Sequence, residues 1–303
     1  MDSKNKIMGV VICYFPNQDK LINLIRILKD QVDYLMIINN GGIENQYLIK
    51  NFKFRNLEIY KFDNIGIAKA LNFACEIANK KKCKFIYTFD QDSSPNFDFV
   101  KKMLFERKLI EISQKKEIGA LGTSYYECRG VKAEQPTIIN ESYQTREVNQ
   151  LSQISSLESN FLITSGMMIP LKLWDENGRF DENLFIDLVD TEWCMRIAST
   201  GVKNFITLNV SMGHELSDQR PIKLFGLTFL KYGPIRQYYY FRNSIYLIKL
   251  SHIPKTYKVK LIFGFLSRSL GVLIYRDRVI DSYKKIFRGL FHGITGKAGK
   301  AEK

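Results

Sequence analysis

The chain has 303 residues, 45% hydrophobic and 25% charged, a balance that buries an ordinary core and excludes a fully disordered or fibrous protein. Its net charge of +14 is unevenly placed: from Gln219 onward 18 Lys/Arg face three acids, while the preceding residues carry 27 basic and 28 acidic side chains. The body is therefore neutral, and the excess positive charge belongs to a C-terminal part suited to an anionic surface, whether membrane or nucleic acid.

The polar residues at the start run directly into an apolar segment, which predicts no signal peptide. Residues 7–14 are a continuous apolar run, the pattern of a strand buried on both faces. Residues 18–30 have helical spacing, with Leu21, Leu24, Ile25 and Leu28 on one side. A second buried strand at 34–38 is closed by Asn39-Asn40-Gly41-Gly42, a turn signal. A short strand at 57–62, a helix at 65–79 and a strand at 84–89 ending in Asp90-Gln91-Asp92 come next. This alternation predicts a largely parallel sheet covered by helices. Further on the pattern predicts a helix at 96–113 and a strand near 118–123, then a polar stretch. After it come a strand-like run over 161–170, containing Ser165-Gly166, a helix at 188–200 and a strand at 205–210. Residues 1–215 are expected to form one catalytic unit, and 216–303 an appended helical region. Five scattered cysteines (Cys13, Cys75, Cys83, Cys128, Cys194) without a CxxC pair fit reduced thiols in a cytosolic protein. The longest apolar stretch, Leu261 to Tyr275, is broken by Arg268 and too short to span a bilayer.

In open α/β sheets, ligands bind beyond the C-terminal ends of the strands. Polar residues fall there three times: Asn39-Asn40, Asp63-Asn64 and Asp90/Asp92. Two carboxylates at i and i+2 leaving a strand point to one side and can hold a hard divalent cation that neutralises phosphate oxygens. An isolated Asp-X-Asp is more often a solvated turn; its place after the apolar run Phe85–Phe89 favours function. A second acidic constellation, Asp187, Asp190 and Glu192, lies among apolar and aromatic side chains. A carboxylate there can have a raised pKa and act as a general base, or open a helix as an N-terminal acid. His214, after a short strand and Gly213, is either structural or the completion of the metal site.

Taken together, these segments resemble the inverting family 2 glycosyltransferases of the GT-A fold, and among them the bacterial rhamnosyltransferases of O-antigen, capsule and related glycans. The resemblance is carried in order by Val10–Pro16, Ile38–Gly41, Asn64–Asn72, Phe89–Ser93, Ser165-Gly166, Phe185–Arg196, Gly213-His214 and Tyr240–Asn243. The FDQDS and VDTEWCMR segments look most like the rhamnosyl branch. The resemblance implies a Rossmann-like GT-A sheet, a metal-dependent hexosyltransferase and a set of roles. Asn39 and Asn40 belong near the nucleobase and ribose, with Asn39 standing where the family more often has Asp, and Tyr14 belongs to the donor site. Asn64, Gly66 and Asn72 shape the diphosphate-sugar pocket. Asp90 and Asp92 contact ribose and a Mg²⁺ or Mn²⁺ bridging the diphosphate, with His214 as an additional ligand. Asp190 matches the catalytic aspartate and Glu192 is the second candidate base. Ser165, Gly166 and Trp193 face the acceptor, and Arg242 steadies the leaving diphosphate. The expected donor is dTDP-L-rhamnose, with UDP-glucose or UDP-galactose on the same fold as the alternative. The expected acceptor is a lipid-linked or other saccharide.

The basic region from 255 interleaves Lys and Arg with Leu, Ile, Phe and Tyr, and residues 280–291 have amphipathic spacing. This predicts either an interfacial helix on the cytoplasmic, inner membrane face or a helix packed on the core. A nucleic-acid-binding protein is the remote alternative. No nucleic-acid module is present, and the strand-end carboxylates would repel phosphate unless a metal intervened.

Overall fold

A computed structural model of the chain describes residues 6–42, 52, 54–127, 137–139, 145–147, 154–215, 219, 222–224 and 227–302. Strand β1 (Lys6–Cys13) is followed by helix α1 (Gln18–Leu28), β2 (Tyr34–Asn39), β3 (Leu57–Lys61), α2 (Ile67–Lys80), β4 (Cys83–Asp90) and α3 (Phe99–Gln114). Strands β5 (Leu121–Glu127), β6 (Thr137–Ile139), β7 (Thr145–Glu147), β8 (Ser156–Glu158) and β9 (Met167–Pro170) come next. Helices α4 (Leu171–Asn177) and α5 (Val189–Ser199) lead into β10 (Phe205–His214). A small hairpin, β11 (Ile222–Leu224) and β12 (Leu227–Phe229), precedes helices α6 (Pro234–Lys249), α7 (Lys255–Tyr275) and α8 (Val279–Thr295).

The main sheet has the order β3-β2-β1-β4-β9-β5-β10-β8, with β6 and β7 attached beside β5. β3, β2, β1 and β4 are parallel, as are β5 and β10, and β9 runs antiparallel between β4 and β5. Successive side chains of a strand point to opposite faces. Met8, Val10 and Ile12 of β1 enter the core under α2, α4 and α5, while Ile7, Val11 and Cys13 enter the one under α1 and α3. That double burial is why the run at 7–14 is continuous rather than alternating.

Three boundaries differ from the sequence pattern for identifiable reasons. The helix expected from 65 begins at Ile67, because Asn64 and Gly66 have φ of +46° and +84°. The strand expected near 118 begins at Leu121, because the buried Arg107 guanidinium donates to the carbonyls of Ile118 and Gly119 (2.6 and 2.8 Å). The strand expected over 205–210 continues to His214 after a register shift against β5 between Thr207 and Ser211. Such a bulge bends the strand and re-aims the residues beyond it.

The core does not stop at residue 215. Tyr240, Phe241 and Leu247 of α6, Leu261 and Val272 of α7 and Ile286 of α8 share one apolar cluster with β1 and β9. Helix α8 lies close on α6: a side chain at Gly289 would meet the Tyr238 carbonyl at 2.5 Å. Among the described residues, no helix is long and apolar enough to cross a membrane. Cys13, Cys75, Cys83 and Cys194 are buried free thiols; Cys128 and most of the polar stretch after it lie outside the described residues.

Candidate active site and metal centre

The register of the parallel strands brings their polar ends to one edge. Ile12 pairs with Asp90, Cys13 with Asn39, and Asn39 with Lys61. The chain leaving each strand is tied to its neighbours. The Tyr14 amide donates to Gln91 Oε1 (2.7 Å) and the Asn40 amide to the Cys13 carbonyl (2.8 Å). The Phe62 and Asn64 amides donate to the carbonyls of Asn39 and Asn40. Asn39 and Asn40 are buried; their side-chain oxygens accept from the amides of Gly41 (3.2 Å) and Ile65 (2.8 Å). They build the loops on which Tyr14 and Phe15 form an exposed edge-to-face aromatic pair, 4.8 Å between centroids.

Asp90, Asp92 and His214 converge beside these loops, each offering a ligand atom within 4.8 Å of the others. His214 Nε2 lies 3.6 Å from Asp90 and Nδ1 3.5 Å from Asp92. A backbone bridge between Ser94 and Gly213, with N–H···O distances of 2.8 and 3.1 Å, pins the Asp-Gln-Asp turn to the strand that carries His214. The buried hydroxyls of Ser93 and Ser165 meet at 2.5 Å beneath the turn. Part of the Asp90 carboxylate meets solvent, yet the protein packed around it pushes its pKa up to about 6. His214 opposes that rise, and repulsion from Asp92 and Asp190 adds to it. Burial also works to raise Asp92, but the hydrogen bond and charge of His214 outweigh it and its carboxyl lies below the ordinary value. Two carboxylates and an imidazole are a donor set that fits Mg²⁺ or Mn²⁺.

Asp190 stands in the first turn of α5. Its Oδ2 accepts from the Thr164 amide (2.8 Å) and hydroxyl (3.0 Å), and Oδ1 from the Thr191 amide (2.8 Å). Burial raises its pKa against the pull of these bonds. The approach to α5 is strained: Phe185, Asp187 and Leu188 all have φ between +63° and +65°, a region that costs non-glycine residues of order 1–3 kcal/mol each. Asn243 holds this segment, donating to the carbonyls of Leu184, Ile186 and Asp187 at 2.8–2.9 Å. The Phe185 carbonyl in turn accepts from the Ile67 amide (2.6 Å), capping α2. Only 7% of the Asp187 side chain is exposed. It accepts from Arg236 at 2.7 Å, while its second oxygen has no hydrogen-bond donor among the described residues.

Several residues expected at the site are placed elsewhere. Glu192 is buried and grips Arg196 (2.8 and 3.1 Å) with His252 beside it, joining α5 to the segment after α6 rather than offering a free base. Trp193 has no exposed surface; it packs on Phe180 and donates to the Gly178 carbonyl, so no face remains for an acceptor sugar. Arg242, buried as well, donates to the carbonyls of Asn183, Leu184 and Gly299 and packs on Tyr238 and Tyr239. Asn72 binds Phe180, Trp174 and Glu182. Ser165 and Gly166 are buried under the Asp-Gln-Asp turn, where Gly166 donates to the Thr88 carbonyl. At Gly66 the close neighbour is Phe185, whose carbonyl lies 2.7 Å from where a Cβ would stand. Conversely, the sequence pattern did not single out Gln91, Thr164, Arg236 or Asn243 for a role. Thr164 immediately precedes the Ser165-Gly166 pair, and Asn243 adjoins Arg242; the signal was present one residue away.

Compared with models of known protein families, the chain matches none. It is 28% identical over 302 residues to a dTDP-rhamnosyl transferase, RfbF, of Shigella flexneri, covering 97% of both chains. Among solved structures it is similar to S. aureus TarS 1-349 in complex with UDP-GlcNAc (TM-score 0.58, 13% identity, 96% of this chain and 81% of that one). It is also similar to GalNAc-T7 with UDP, GalNAc and Mn²⁺ (TM-score 0.54, 12% identity, 89% of this chain), of which it spans 56%. The chain has the GT-A glycosyltransferase fold.

Proposed function

We propose that this chain, a glycosyltransferase by fold and by full-length likeness to a dTDP-rhamnosyl transferase, is a metal-dependent inverting enzyme that moves L-rhamnose from dTDP-L-rhamnose to a saccharide hydroxyl. The observation that carries the reading is the convergence of Asp90, Asp92 and His214, with Asp190 near enough to Asp90 for their charges to interact. Asp90, Asp92 and His214 would hold a Mg²⁺ or Mn²⁺ ion, which when bound supplies a Lewis acid for the negative charge of a departing nucleoside diphosphate. Tyr14 and Phe15 offer an aromatic rim for a nucleobase.

Asp190 takes the proton of the acceptor hydroxyl, its Oδ2 oriented by Thr164. The freed oxygen attacks the anomeric carbon from the face opposite the nucleotide. The bond to the diphosphate breaks in the same displacement, and the anomeric configuration inverts. Arg236, held on Asp187, is a cation whose charge favours the ionised form of Asp90. A lipid-linked acceptor, as expected for O-antigen or capsule assembly, would be met at the cytoplasmic face of the membrane.

A thermal-shift panel of dTDP-rhamnose, UDP-glucose, UDP-galactose and GDP-mannose, each with and without Mn²⁺, tests the proposal. Stabilisation by dTDP-rhamnose that requires Mn²⁺ supports metal site and sugar together. Stabilisation by a UDP sugar instead keeps the enzyme and discards rhamnose; the absence of any shift overturns the donor site.

A further inference from the structure

The exposed apolar side chains of the C-terminal helices are not scattered. On α7, Val259, Ile262, Phe263, Leu266, Leu270 and Leu273 are all exposed, Phe263 by 68% and Leu266 by 61%. Their spacing of three, four, seven, eleven and fourteen residues places them on one face along nearly the whole helix, about 30 Å at 1.5 Å per residue. The opposite face, through Tyr257, Leu261 and Val272, enters the core. On α8 the exposed Ile280, Phe287, Phe291 and Ile294 repeat the pattern at seven, eleven and fourteen residues. Both helices therefore bury one side in the protein and present an apolar stripe on another.

The charges around these stripes select the partner. Helix α7 contains Lys255, Lys258 and Lys260 and no acid, its Arg268 guanidinium being stacked on Tyr232 and Tyr240, and the turn to α8 carries Arg276 and Arg278 around a single Asp277. Lys284 lies within the α8 stripe. A two-fold contact between copies would set this cationic face against itself, which like charge disfavours. An anionic bilayer meets both features at once: headgroups face the Lys and Arg, and the stripe enters the acyl boundary.

We infer that the α7–α8 face is an interfacial membrane-docking surface for an anionic lipid bilayer, lying on the membrane rather than spanning it. The choice of partner accords with the membrane-side acceptor proposed above, but the test reads lipid binding without turnover, so the two can fail separately.

The full chain is floated with vesicles of neutral phosphatidylcholine alone or with about a third phosphatidylglycerol, beside the double variant Phe263→Ser/Leu266→Ser. Both positions are exposed, so the variant is expected to keep the wild-type melting temperature, and Leu270→Ser/Leu273→Ser serves as a second pair should it not. The expected result is binding of the wild type to anionic vesicles, several-fold weaker in high salt and on neutral vesicles, and at least tenfold weaker in the variant. A wild type that stays unbound, or a variant that binds equally well, overturns the inference. So does a wild-type dimer in lipid-free solution that the variant converts to monomer, which would assign the face to a second copy.

Discussion

The Asn243 carboxamide donates to the Asp187 carbonyl at 2.8 Å, so a side chain in α6 secures the backbone three residues before Asp190. The same nitrogen reaches the carbonyls of Leu184 and Ile186, and together these bonds hold the left-handed residues Phe185, Asp187 and Leu188 against their strain. Asn243→Ala takes the side-chain donor from the part-buried carbonyls of Ile186 and Asp187, while Leu184 keeps Arg242, and a loss of about 1–3 kcal/mol of stability is expected from typical costs of such groups. Because a shift near 1 Å at reacting groups costs about a hundredfold, kcat is expected to fall well beyond donor KM. Parallel melting curves and steady-state kinetics check this; unchanged kcat in a folded variant would contradict it.

Asp190→Asn removes the base while keeping the size of the side chain. Turnover is expected to fall by about 10²–10⁴, the range for a general base, with donor-induced thermal shift retained. The raised pKa of Asp190 sets the sign in pH: only the carboxylate accepts a proton, so kcat/KM falls as pH drops. Its acidic limb is expected above the ordinary aspartate value of about 3.9. Transfer by the Asn variant at the wild-type rate would move the base elsewhere.

Asp90 gives the metal-free protein a pH signature. Its carboxyl is raised to about 6, so the fold favours the protonated form. That stability is fully present below the unfolded value, near 3.9, and is lost as pH rises through about 6. The melting temperature without metal is expected to decline across that window and the decline to flatten in Asp90→Asn. Metal binding needs the ionised form, so Mn²⁺ affinity measured by calorimetry should weaken about tenfold per pH unit below 6. Affinity independent of pH would exclude Asp90 as a ligand, and Asp92→Ala or His214→Ala should each abolish measurable binding.

Trp193 separates a packing role from a sugar contact. Trp193→Ala is expected to cost about 3–5 kcal/mol, as for large buried aromatics, whereas Trp193→Phe should preserve acceptor KM. A large rise in acceptor KM for the Phe variant at normal stability would restore the stacking role.

The local signals of this sequence determined a great deal. The uninterrupted apolar runs at 7–14 and 85–89 specify strands buried on both faces, and Asp90 closes β4 with Asp92 two residues on, in the turn that leaves it. These are short-range consequences of backbone periodicity. Only the tertiary structure decided which polar residues face the cleft. His214 joins the two aspartates through a register shift in β10 and a backbone bridge to Ser94, neither marked by composition. Arg242, Asn72 and Glu192 read equally well as site residues, yet each is itself buried and held by other residues; the partners of Arg242 and Asn72 lie as far as 59 and 110 positions away in the chain. A buried polar group must be satisfied wherever the fold carries it, and that partner is set by long-range packing.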